Sequence, residues 1–232
     1  MKSITWLSPT DPPDSFPAPD QALDDPPGLL AAGGDLSAAR LLAAYRRGIF
    51  PWYSPGQPVL WWSPDPRAVL FPEEFRCTRS LAKTLRNGGF TVAFDRDFAA
   101  VIDQCAAPRH HSPGTWITTE MRDAYLELHR LGYAHSVETL RDGELVGGLY
   151  GVRLGHVFFG ESMFSRERDA SKVALAHLVE ACRRQGIAVI DCQLASRHLQ
   201  SLGSRSIARR QFQALLAEHI AAVPGGAGGP LN

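Results

Sequence analysis

The run I-A-V-I-D-C-Q at residues 187–193 ends in an acid, a thiol and an amide. Its β-branched lead reads as a buried strand. Alternation with period two then puts Asp191 and Gln193 on one face, where a sheet interior meets a cleft. A strand-end Asp can equally cap a loop, and spacing alone leaves both readings open. Glu161 follows the apolar Phe158-Phe159-Gly160. It is either buried with a partner or exposed at a turn. Cys192 is the one thiol beside this acid and amide. No base for it is identifiable, and the opposite face would bury it, which argues against a thiolate nucleophile.

Other chemistries find less support. His110 and His111 are adjacent, so their side chains diverge, and no carboxylate follows at ligand spacing; a surface loop is expected. His135 and His156 fall in strand patterns and His177 on a helix, where structural roles are expected. There is no G-x-S-x-G, Walker loop or H-E-x-x-H. Cys77, Cys105, Cys182 and Cys192 are far apart without a C-x-x-C pair. Neither a zinc site nor a disulfide framework is expected, and a reducing cytoplasm is the natural setting. Arg76, Arg79, Lys83 and Arg86 cluster, with Arg79, Lys83 and Arg86 on one helical face. Such a face is either simply solvated or a phosphate contact.

The elements that must position these residues are legible in part. The 232 residues are 44% hydrophobic and 21% charged, enough for a core and against a mainly disordered chain. No apolar run reaches the length of a membrane span, and M-K-S-I-T-W-L-S-P-T-D-P-P-D lacks a signal-peptide core, so neither membrane nor export is expected. Net charge is zero, but residues 1–35 hold six Asp and one Lys, leaving the remainder at +5. That excludes a globally basic RNA binder and permits a local basic patch. Thirteen of the 17 prolines lie in residues 1–72. This turn-rich part has one clear helix, capped by Ser37 and ended by Gly48. Six aromatics between Phe50 and Phe71 predict a small aromatic core. A boundary near Ser63–Pro66 divides residues 1–65 from 66–232.

The second part alternates regularly. Helices are expected at 78–87, 97–105, 118–131, 170–185 and 209–222, and strands at 90–94, 135–141, 144–152, 156–160 and 187–193. Asp142-Gly143 between two alternating runs signals a hairpin. The glycine-rich end, 225–232, reads as a frayed tail. This order predicts an α+β domain with a mixed sheet, resembling the fold of acetyl-CoA-dependent N-acetyltransferases. Enzymes of that fold hold the pyrophosphate in a [QR]-x-x-G-x-[GA] loop heading a helix. The only match, Arg183–Ala188, leaves a helix and enters a strand, so Gly186 reads as a helix C-cap. The expected junction, E-S-M-F-S-R-E-R-D-A-S-K, has no glycine cradle. Acyl-CoA is therefore not the expected donor.

Nine blocks in order carry a more specific resemblance. They are G-G-D-L-S (33–37), Y-R-R-G-I-F-P-W (45–52), W-W-S-P-D-P-R-A-V-L (61–70), G-T-W-I-T (114–118), A-H-S-V-E (134–138), L-V-G-G-L-Y-G (145–151), F-F-G-E-S-M-F-S (158–165), A-S-K-V-A-L (170–175) and I-D-C-Q (190–193). Together they resemble the leucyl/phenylalanyl-tRNA–protein transferases, from about residue 16 to about 215.

The resemblance implies a small N-terminal domain and a GNAT-like aminoacyltransferase domain. It also implies transfer of Leu or Phe, and less well Met, from aminoacyl-tRNA to an N-terminal Arg or Lys of a protein. That is the marking step of the bacterial N-end rule. No metal, CoA or other cofactor is implied, and a cytoplasmic monomer is the expected state. By motif, Trp52 and Trp116 correspond to tryptophans around the donor's terminal adenosine. Leu149, Phe158, Met163 and Leu178 correspond to the donor side-chain pocket, and Glu161, Asp191 and Gln193 to the polar catalytic group. Arg76, Arg79, Lys83 and Arg86 would be the tRNA phosphate contacts. The Leu149 position is commonly Met in the family, and Leu is the less adaptable side chain. Gln193 cannot be a conventional base, but its carbonyl can accept an amine N–H, with Asp191 polarising that contact and favouring a cationic N-terminus. A proton relay and pure positioning are both compatible with these residues. Two rivals are a CoA-dependent N-acetyltransferase and a non-catalytic RNA-binding module.

Overall fold

Prolines break the first 72 residues into short pieces, and most of these pair as strands. The computed structural model describes residues 3–108, 116–221, 229 and 231. β1 (Thr5–Leu7), β2 (Leu29–Gly33), β3 (Phe50–Pro51) and β4 (Leu60–Trp62) form a small sheet in the order β1-β2-β4-β3. The turn-rich reading missed this sheet, because strands of two to five residues are too short to show alternation. Between β2 and β3 runs α1 (Ala38–Arg46), and Ser37 Oγ accepts the Arg40 N–H as its cap.

The expected aromatic core is half realised. Phe50, Tyr53 and Trp61 are buried, with Trp61 donating its indole N–H to Gly33 O (2.9 Å) and meeting Phe16 edge-on. Trp62 and Phe71 are half-buried and Trp52 is 42% exposed.

β5 (Arg67–Leu70) already belongs to the larger sheet. There follow α2 (Arg79–Asn87), β6 (Thr91–Phe94), α3 (Phe98–Ala106), α4 (Thr119–Arg130), β7 (Ala134–Arg141), β8 (Glu144–Leu154) and β9 (Val157–Ser165). Then come α5 (Ala170–Arg184), β10 (Val189–Gln193), α6 (Arg197–Ser201), β11 (Arg205–Ile207) and α7 (Arg209–Ala221). The seven-stranded order is β11-β5-β10-β9-β8-β7-β6. It is the mixed α+β sheet the sequence predicts. Strands β6 to β9 are antiparallel neighbours, and β10 lies parallel to β9 after the α5 crossover. Asp142 and Gly143, both at positive φ (51° and 85°), make the β7–β8 hairpin turn.

Apolar residues cover both faces of this sheet. On one face lies a core shared by α1, α3, α4, α7 and the small sheet. On the other lies a second core built on α5 and α2.

Three expectations need correction. Strand β9 does not stop at Gly160 but continues to Ser165, because Ser162, Met163 and Phe164 pair with Tyr150, Leu149 and Gly148. His156 sits in the β8–β9 turn, and His177 is exposed on α5 rather than in its core. The tail is not free where it is described. Leu231 is buried in the second core, and Gly229 O accepts from the Arg153 guanidinium. His110 and His111 lie outside the described residues.

Candidate active site

Two irregularities in the sheet build the site. Between β8 and β9 the register jumps from Tyr150–Ser162 to Gly151–Gly160, leaving Glu161 as the extra residue. Between β5 and β10 it jumps from Val69–Asp191 to Ala68–Gln193, leaving Cys192 over. Such bulges bend a strand and re-aim its side chains. Both fall just past the last parallel pair of β9 and β10, Phe159 with Asp191. Beyond it the two strands part, and a cavity of about 270 Å³ opens between them.

The cavity floor is apolar. Leu149, Phe158, Met163 and Leu178, the four residues expected around a donor side chain, all line it, with Leu175 and Ile190. Gly151 lets the Phe158 ring lie flat across β8. A Cβ at Gly151 would stand 2.6 Å from Phe158 Cε1 and closer still to the Phe159 carbonyl oxygen. Glu161 and Gln193 line the polar wall.

Glu161 is held from both sides. Tyr125 O–H donates to Oε2 at 2.7 Å, and Gln193 Nε2 donates to Oε1 at 3.0 Å. The Tyr45 and Tyr125 hydroxyls are 2.5 Å apart. Each hydroxyl has one proton, so with Tyr125 donating to Glu161, Tyr45 donates to Tyr125. Burial pushes the Glu161 carboxyl up to about 7, and the tyrosine hydrogen bonds oppose that rise. Burial, with Glu161 nearby, pushes the Tyr45, Tyr125 and Tyr150 hydroxyls well above 10. With its amide N–H₂ given to Glu161, Gln193 keeps its side-chain carbonyl as an acceptor, and the residue lines the cavity.

Asp191 behaves differently from the expectation. Its side chain is fully buried on the small-sheet side and takes both bonds of a bidentate Arg67 fork, at 2.8 and 2.6 Å. Arg67 also donates to Gly48 O and lies between the Phe50 and Phe212 rings, 4.8 Å from each. Asp191 Oδ1 accepts the Gln193 backbone N–H at 2.9 Å. Gln193 itself has φ of 61°, an uncommon place for a residue other than Gly, Asn or Asp. So the two residues do not emerge side by side, as simple alternation predicts. Asp191 fixes the backbone from behind, and Gln193 faces Glu161. Cys192 has its thiol pushed far up, first by burial and then by Asp191, which fits its rejection as a nucleophile.

The remaining candidates stand apart from the cavity. Trp52 packs edge-on against Trp62, whose indole N–H donates to Trp52 O. Trp116 is half-buried against the first core. Neither tryptophan lines the cavity. Arg76, Arg79, Lys83 and Arg86 are exposed, and none forms an ion pair among the described residues. Lys83 borders a separate hollow with Arg141 and Arg168.

The residues that motif reading missed are Arg67, Tyr45 and Tyr125. Two of them lie inside quoted blocks, but nothing in a linear string says that Arg67 meets Asp191 across 124 positions. The junction before α5 is closed to a pyrophosphate. Ser171 N–H is taken by Ser165 Oγ (2.9 Å) and Ala170 N–H by Glu167 O (3.2 Å). Among the described residues there is no group of three or more His, Cys, Asp or Glu that could hold a metal, and no helix is long and apolar enough to cross a membrane.

Comparison with known proteins decides the family. Residues 69–217 match the family model "Leucyl/phenylalanyl-tRNA protein transferase", and residues 34–65 match the model of its N-terminal domain. A protein of that name from Pseudomonas entomophila is 60% identical over 217 residues, covering 94% of this chain and 95% of its own. One from Azoarcus sp. is 62% identical over 209 residues, covering 90% and 88%.

The chain belongs to the leucyl/phenylalanyl-tRNA–protein transferase family.

It is thus a transferase, and the cavity with its carboxylate and amide is the site to be read as such. Among solved structures, a GCN5-related N-acetyltransferase from Kribbella flavida aligns with a TM-score of 0.41 at 14% identity, covering 72% of this chain and 60% of that one. L-PGS from Bacillus licheniformis aligns at 0.41 and 12%, covering 72% and 53%.

Proposed function

We propose that this protein moves leucine or phenylalanine, and methionine less well, from aminoacyl-tRNA to the N-terminal Arg or Lys of acceptor proteins, as a cytoplasmic monomer of the bacterial N-end rule. Residues 1–65 would form its small domain and 66–232 the aminoacyltransferase domain. The observation that carries this reading is the Glu161–Gln193 hydrogen bond on the polar wall of a cavity with an apolar floor. The cavity is at the small end of ligand sites, which span roughly 300–1,000 Å³, and suits one amino-acid side chain. An apolar floor takes Leu, Phe and Met and excludes charged donors, whose desolvation is uncompensated. The terminal adenosine would lie outside it, against Trp52 and Trp116, and the exposed cations of α2 would meet tRNA phosphates.

The donor is an activated ester. The acceptor amine has an ordinary pKa of ~7.7–8.0, so roughly a tenth is neutral at pH 7. The Gln193 carbonyl accepts an N–H of that amine and turns its lone pair toward the ester carbon. The C–N bond forms, the C–O bond to the ribose breaks, and deacylated tRNA leaves with its hydroxyl restored. Glu161 holds Gln193 in this orientation and supplies the negative charge that favours a cationic N-terminus. Asp191, neutralised by Arg67, is a positioning residue acting through the Gln193 backbone.

The test is a filter assay with labelled Leu-tRNA, an Arg-terminated protein and excess EDTA. Label should pass to the protein without CoA or metal. Acetyl transfer from acetyl-CoA, or tRNA binding with no transfer, would favour the rivals instead.

A further inference from the structure

The proposed reaction must move one proton from the attacking amine to the departing ribose oxygen, and the residues named so far supply no carrier for it. Forming the peptide bond turns the attacking amine into an ammonium-like nitrogen that must lose a proton. Gln193 cannot take it. Glu161 is engaged in holding Gln193, accepting from Tyr125 at one oxygen and from Gln193 at the other.

We propose that His198, on α6, receives this proton. The inference rests on the transferase reading above. His198 lines the same cavity as Gln193 and Glu161, with Ser196 and Leu199, and is itself exposed to solvent. It also lines an adjoining polar hollow of about 700 Å³, reached past Met163 and walled by Ser165, Arg166 and Ser171. The imidazole therefore stands where a small apolar chamber for a side chain opens into a larger polar one. On the transferase reading, the acceptor amine reaches the ester through this opening.

Among the described residues the ring nitrogens of His198 have no hydrogen bond or ion pair, so both are available. The charged groups facing it are Lys172 and Asp169 at the start of α5, Arg166 in the adjoining hollow, and Glu161 across the cavity. Lys172 and Asp169 are paired with each other at 2.6 Å. Partial burial, and then Lys172, lower the His198 pKa below 6.5, so the ring is neutral and able to accept near pH 7. The remaining titratable cavity residues are unsuited. Tyr150 and Cys192 have pKa values raised by burial, and Asp191 is locked to Arg67. In the step itself, the amine nitrogen bonds the carbonyl carbon and passes one proton to a His198 ring nitrogen. The departing ribose oxygen takes that proton from the imidazolium, directly or through one water at the open side, which restores the neutral ring.

The experiment follows transfer of labelled Phe from Phe-tRNA to an Arg-terminated peptide between pH 5.5 and 9. It compares wild type, His198→Gln, and His198→Ala with and without added imidazole. The expected result is a kcat loss of about 10²-fold with KM for both substrates nearly unchanged. The acid side of the wild-type log kcat profile should lose about one unit of slope in His198→Gln, and imidazole should restore part of the His198→Ala rate. An unchanged kcat overturns the inference. So does a loss confined to KM, or a kcat loss with an unmoved pH profile and no imidazole rescue, because each assigns the ring another part. His198 is exposed and among the described residues its ring makes no hydrogen bond, so both variants should fold, with far-UV circular dichroism as the check. Absence of transfer by wild type would instead sink the transferase reading itself.

Discussion

Glu161 and Asp191 stand on neighbouring strands, Asp191 in the last pair of β9 and β10 and Glu161 just past it, yet their electrostatic surroundings are opposite. Asp191 is buried against a guanidinium that matches its charge and geometry. Among the described residues Glu161 is bonded by hydroxyl and amide donors and by no cation, and burial lifts its pKa to about 7. The first arrangement makes a charge inert and structural. The second keeps a charge available at the pH where an amine must react. Carboxylates of one motif group can thus divide into a structural fixture and a titratable support of the site according to what each finds around it.

That division can be broken most forcefully at the fixture. Asp191→Ala should strand the Arg67 cation in the core and cost about 3–5 kcal/mol, read from the denaturant midpoint. Replacing both partners by apolar residues should recover much of that stability without restoring transfer. A mild effect of Asp191→Ala alone would mean the pair is not buried as described.

Glu161 should show the opposite stability trend. A carboxyl whose folded pKa lies above its unfolded one favours folding fully below about pH 4.5, and that contribution is lost as pH rises through about 7. The loss amounts to up to about 3 kcal/mol. Glu161→Gln removes the titration. Its thermal midpoint relative to wild type should climb between pH 4.5 and 8 while its turnover falls. A difference that does not vary with pH would place the Glu161 carboxyl in an ordinary solvated setting.

Gln193→Ala comes next. It removes the amide and leaves Asp191–Arg67 intact, so turnover should drop about 10²-fold with tRNA affinity retained. An undiminished rate in the folded variant takes Gln193 out of the mechanism.

Outside the cavity, reversing charge at Arg79 and Lys83 should weaken tRNA binding about tenfold and flatten its salt dependence, by about 0.7–0.9 per lost contact. Donor choice should not move. Binding indifferent to both changes would leave α2 with only a solvated face.

The smallest effect is expected at Leu149→Met, a volume-conserving change costing less than ~1.5 kcal/mol. Competition among Leu-, Phe- and Met-tRNA should show a modest shift toward the more flexible fit. A large rise in Lys transfer would contradict an apolar floor.

Much of this architecture was readable before any coordinates. Asp142-Gly143 announced its hairpin, Ser37 the start of α1, and Gly186 the end of α5, because each signal is local and steric. The four apolar pocket residues were found through motif order. What resisted reading were the bulges. An extra residue in one strand leaves no mark in a string, yet at Glu161 it extended β9 past its expected end, and at Cys192 it turned Asp191 and Gln193 apart. The small sheet escaped for a related reason, since two or three residues show no period.

By itself, then, the sequence determined the element order, the apolar patterns that cover both faces of a mixed sheet, and membership of the family. These depend on local conformational preference and on patterns a few residues long. Only the tertiary structure decided which acid meets Arg67, which meets Tyr125, and which side of Gln193 faces the cavity. Those outcomes depend on through-space distances of a few ångströms between residues up to 124 positions apart. Charge pairing and desolvation act over that range, and chain separation does not encode it.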